Sequence, residues 1–161
     1  ITVAGDSAGG MIAAVIAQFA KRKGWQAPRC QVLIYPWLAP EPGLPSYTDF
    51  ADAYPLTSDI MLWFGGHYFR NEHEKKHSWA APLNESDLAG LPEALIYTAG
   101  FDPLRDEGEL YAQRLQKAGV PVTFKCFGNL THSFSMLGGI VTAARRALNE
   151  IAEQLAAKIA H

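Results

Sequence analysis

The chain has 161 residues, of which 48% are hydrophobic and 19% charged, with a net charge of −2. That is enough chain for one domain with a buried core and too apolar for intrinsic disorder. It carries no basic stripe, which argues against nucleic acid or an anionic membrane surface as partner. Two cysteines, Cys30 and Cys126, make neither a disulfide framework nor a zinc pattern and read as buried reduced thiols. No apolar run reaches the roughly 18 residues of a membrane span.

Ile1 to Ala4 is an apolar run of β-formers, predicted as a fully buried strand that the first residue cuts into. Residues 8–22 are apolar on nearly every side and end in Lys21, Arg22, Lys23 and Gly24, a helix followed by its stop signal. Gln31 to Trp37 predicts a second buried strand, stopped by Pro36. Residues 38–57 hold Pro40, Pro42, Pro45 and Pro55 and predict an irregular excursion. Ser58 and Asp59 are expected to cap a short helix reaching Phe69, and His67 to Glu93 reads as polar loop.

Ala94 to Ala99 predicts the third strand, Asp106 to Ala118 an amphipathic helix closed by Gly119, and Val122 to Phe127 the fourth strand. Ile140, Ala144, Leu148, Ile151, Leu155 and Ile159 recur every three to five residues and predict a long C-terminal helix. Strands that alternate with helices imply βαβ units. The expected fold class is therefore α/β, with four mainly parallel strands and helices on both faces.

Gly5-Asp6-Ser7-Ala8-Gly9 matches G-x-S-x-G. Alone the pattern carries little, since it arises by chance in about one chain of this length in twenty. Its place between an apolar strand and an apolar helix is the setting of a nucleophile elbow. There the hydroxyl stands at a helix N-terminus, where the Ala8 amide can stabilise an oxyanion. A serine nucleophile needs a base and a group to orient that base. Asp102 follows the third strand and His132 lies five residues beyond Phe127, so all three residues sit past the ends of parallel strands. Their order, Ser, Asp, His, is that of the α/β-hydrolase triad.

Rivals for these roles have plainer readings. Asp106 and Glu107 fall in a first helical turn, where acids suit the dipole, and Asp6 is expected to bond to nearby backbone. His67, His73 and His77 lie in polar sequence as solvated side chains whose spacing suits no metal, and His161 is terminal.

The chain resembles the hormone-sensitive-lipase family of esterases, in its bacterial GDSAG subgroup. Gly5 to Gly10 resembles the family's nucleophile motif, Asp102 to Gly108 its acid motif, and His132-Ser133-Phe134 its base motif. Residues 47–69 resemble the segment that shapes the acyl pocket, which makes 38–77 a cap or acyl-pocket excursion within a partial catalytic domain spanning 1–161. The family usually has Asn where Met11 stands and Gly where Ser133 stands.

By this likeness the four strands are the fifth to eighth of an α/β-hydrolase sheet, the C-terminal half of the fold. The oxyanion loop of His-Gly-Gly-Gly type and the N-terminal cap would lie upstream of Ile1, and the segment alone is expected to be inactive. The resemblance implies a cofactor-free carboxylester hydrolase for short to medium acyl esters, with Ser7 as nucleophile, His132 as base and Asp102 as orienting acid. Trp37, Trp63, Phe64 and Tyr68 are candidate pocket walls. Amide hydrolysis, or a binding-only receptor of the same fold, are the alternatives. A small-molecule ester is the expected partner, with a homodimer through 122–127 in view. Cytoplasm is the favoured compartment, although no signal in the sequence fixes it.

Overall fold

The β-forming runs become four strands in a computed structural model that describes residues 1–40 and 43–159; Pro42 and His161 lie outside the described residues. The strands are β1 (Val3–Asp6), β2 (Cys30–Ile34), β3 (Glu93–Phe101) and β4 (Val122–Thr131). They lie in chain order, β1-β2-β3-β4, and every neighbouring pair is parallel. The helices are α1 (Ala8–Lys23), α2 (Ser46–Asp49), α3 (Ser58–Tyr68), α4 (Arg105–Lys117) and α5 (Thr142–Ile159).

Period-two alternation along the strands feeds two cores. Leu33, Ala94 and Ile96 point to one face and pack with Ala13 and Ala14 of α1 and Tyr111 and Leu115 of α4. Val32, Leu95 and Tyr97 point to the other and pack with Ala144, Ala147 and Ile151 of α5. Each large side chain buried this way contributes about 1.5–3 kcal/mol. Helices therefore cover both faces, as the alternation of elements predicts.

The element ends differ from expectation for local reasons. β1 starts at Val3 and runs to Asp6, and its residues alternate between half-buried and exposed. β2 stops at Ile34 because Tyr35 takes a φ of 36° immediately before Pro36. The cap of α3 is Thr57, whose hydroxyl accepts from the Ile60 amide at 3.2 Å, one residue before the expected Ser58. α5 begins at Thr142, which leaves Ile140 exposed ahead of it. Cys30 is buried but Cys126, on edge strand β4, is only partly so. β4 continues past Phe127 to Thr131, across an irregularity opposite Ala99 and Phe101, and delivers the chain directly to His132.

Candidate active site

The turn from β1 into α1 is made by Ser7 at φ 54° and ψ −122°, a strained conformation for a residue with a side chain. The turn is possible because a Cβ on Gly5 would collide with the Gly9 carbonyl. The Ser7 amide donates to the Ile34 carbonyl at 2.9 Å, and its own carbonyl accepts from the Trp37 amide at 3.1 Å, so the end of β2 braces the elbow. Ala8 opens α1, which puts its amide among the donors that a helix leaves without an internal acceptor.

The three residues picked from strand ends meet. His132 Nε2 lies 3.0 Å from Ser7 Oγ, and His132 Nδ1 lies 2.7 Å from Asp102 Oδ2. Asp102 has no exposed surface and His132 only 5%. The other Asp102 oxygen accepts the Leu104 amide at 2.9 Å, which fixes the carboxylate's plane. Ser133, the residue after the base, has a left-handed φ of 60°, at the position where the resembled family favours glycine. Met11, the other departure, is buried in α1.

A cleft of about 690 Å³ opens over Ser7, Ala8 and His132, walled by Trp37, Leu56, Met61, Phe64 and Tyr68 among others. Trp63 does not line it. The residues of α3 that face the cleft form a stripe through Ile60, Phe64, His67 and Tyr68; Trp63 stands at its margin, 62% exposed, packed on Phe64 and His67. His67, expected in solvated loop, is thus on α3 and at the cleft. Among the described residues no three His, Cys, Asp or Glu side chains gather as metal ligands.

Glu107 and Asp106 do more than suit a helix dipole. Glu107 is fully buried and accepts from the Leu38 amide at 2.6 Å and the Tyr47 hydroxyl at 3.2 Å, which ties the strap bearing Trp37 to α4. Burial holds its carboxyl well above the ordinary carboxylate range, with the Asp102 charge adding to the rise and the Leu38 and Tyr47 contacts opposing it. Asp106 accepts from the Ser46 amide at 2.9 Å, and Ser46 Oγ donates to the Pro103 carbonyl at 2.6 Å, so the excursion is anchored beside Asp102. Asp6 takes a hydrogen from the Tyr35 hydroxyl at 3.0 Å rather than from local backbone.

Parallel strands ending in an elbow serine, a carboxylate and a histidine are the arrangement of an α/β hydrolase. Residues 1–136 match the family model described as alpha/beta hydrolase fold. The chain is 40% identical over 151 residues to carboxylesterase NlhH of Mycobacterium tuberculosis, covering 91% of this chain and 47% of that protein. It is 37% identical over 164 residues to carboxylic ester hydrolase LipN of the same organism, covering 99% of this chain and 44% of LipN. The crystal structure of EstE1, a thermophilic carboxylesterase cloned from a metagenomic library, superposes with a TM-score of 0.93 at 38% identity, over 99% of this chain and 55% of that one. The chain belongs to the α/β-hydrolase family, in its hormone-sensitive-lipase group. It spans about half the length of the curated relatives it matches.

Proposed function

We propose that the protein is a carboxylester hydrolase that cleaves short to medium acyl esters through an acyl-enzyme on Ser7. His132 Nε2 takes the Ser7 proton as Oγ attacks the ester carbonyl carbon, and the carbonyl oxygen becomes an oxyanion facing the Ala8 amide. Asp102, bonded at Nδ1, holds the tautomer that leaves Nε2 free and stabilises the imidazolium. The tetrahedral adduct collapses, its C–O bond breaks, and His132 returns the proton to the departing alcohol. Water, deprotonated by the same nitrogen, then releases the acid and frees Ser7.

The observation that carries this reading is the continuous Ser7–His132–Asp102 chain at 3.0 and 2.7 Å, at the floor of an apolar cleft. Ester rather than amide substrates are favoured by the names of the relatives. With His132 in place, a binding-only role has no support. The test is hydrolysis of p-nitrophenyl acetate, butyrate and octanoate by the full-length protein and its Ser7→Ala variant. Turnover of the shorter esters that vanishes in the variant is expected; turnover that survives it would overturn the proposal.

A further inference from the structure

Three non-glycine residues among those described have positive φ: Ser7, Tyr35 and Ser133. Two are the elbow serine and the neighbour of the base, and strain of this kind collects where surrounding structure enforces a function. Tyr35 belongs to the same cluster in space. Its backbone is held by its amide on the Tyr97 carbonyl at 2.6 Å, and Pro36 packs so tightly under α1 that a Cβ on Gly10 would come within 2.8 Å of it. Its ring is fully buried against the His132 imidazole, centroids 4.6 Å apart, and against Phe134 at 5.0 Å.

The hydroxyl has two partners, Asp6 Oδ2 at 3.0 Å and Ser135 Oγ in close hydrogen-bond contact. A carboxylate can only accept, so the single phenolic hydrogen goes to Asp6 and the Ser135 hydroxyl donates to the Tyr35 oxygen. The path Ser135 to Tyr35 to Asp6 joins the loop that follows His132 to the residue that precedes Ser7. The Asp102 bond fixes only one ring nitrogen of His132, leaving the tilt of the ring and the height of its loop to other contacts.

We infer that Tyr35 is a positioning residue that acts through His132: its ring backs the imidazole, and its hydroxyl ties the base loop to the nucleophile turn, setting the gap between Nε2 and Ser7 Oγ. The inference rests on the hydrolase reading above. Misplacement of a catalytic group by about 1 Å can cost on the order of 100-fold in rate.

The test compares Tyr35→Phe, Ser135→Ala and the double variant in the full-length protein, with active sites counted by fluorophosphonate titration and kinetics measured on a short p-nitrophenyl ester. Tyr35→Phe should lower kcat per titrated site by about 10- to 100-fold with KM within about twofold. Ser135→Ala should lower kcat in the same direction, and the double variant should be no slower than Tyr35→Phe, because both remove one path. Unchanged kcat per site, with only thermal stability reduced, would overturn the assignment, as would fully additive losses. Should Tyr35→Phe not fold, Ser135→Ala alone decides by the same readouts. A wild-type protein with neither turnover nor probe labelling at Ser7 would sink the hydrolase reading and this inference together, whereas an active wild type with indifferent variants sinks only the inference.

Discussion

Asp102 Oδ2 and His132 Nδ1 stand 2.7 Å apart, both shut away from solvent at the ends of adjacent strands. An aspartate in that position dictates which imidazole nitrogen carries hydrogen. Asp102→Asn keeps the size and the burial but can present its amide hydrogens to Nδ1, which drives the hydrogen onto Nε2, where the base must be bare. The variant should fold with a wild-type circular dichroism spectrum and lose about 10⁴-fold in kcat on a short ester.

Glu107 makes stability depend on pH with a definite sign. Its folded-state pKa is raised by burial, so the folded protein keeps a proton that the unfolded chain releases above about pH 4.3. That contribution is complete below the unfolded value and is lost as pH rises through the folded value, by up to about 1.4 kcal/mol per pH unit. Glu107→Gln cannot ionise, and its amide can still accept from Leu38 and donate to Tyr47. Thermal melts between pH 4 and pH 8 should show the variant gaining on the wild type as pH rises.

Two neighbouring glycines should respond oppositely to the same change. A Cβ on Gly5 runs into the Gly9 carbonyl and the Gly10 amide, whereas a Cβ on Gly9 finds its nearest atom, Asp6 Oδ1, at 3.9 Å. Gly5→Ala should cost about 1–3 kcal/mol in denaturant melts and misplace Ser7. Gly9→Ala, inside α1, should be neutral or stabilising by up to about 1 kcal/mol.

The sheet and its helices were legible because each rests on local patterns: apolar runs for the strands, spaced apolar residues and a terminal Gly24 or Gly119 for the helices. Ser7, Asp102 and His132 were legible because each comes just after a β-forming run, and parallel strands align their ends. Tyr35, Ser135 and Glu107 were not, since their partners lie far off in sequence: Tyr35 meets Ser135 across 100 residues, and Glu107 meets Leu38 across 69. The one available signal for Tyr35 was its place before Pro36 in the same row of strand ends. Whether Trp63 walls the cleft was not legible, because an aromatic residue on a short helix looks the same whether it faces a cleft or solvent.

The central claim is that Ser7 is a nucleophile made reactive by His132. Its most direct test is the rate of fluorophosphonate labelling of the full-length protein, with the modified residue located by peptide mass spectrometry, in wild type and in His132→Ala. A single adduct on Ser7, formed at least about 1,000-fold more slowly without the imidazole, is the predicted result. An adduct on another residue, or labelling of Ser7 at an undiminished rate in the variant, would contradict it.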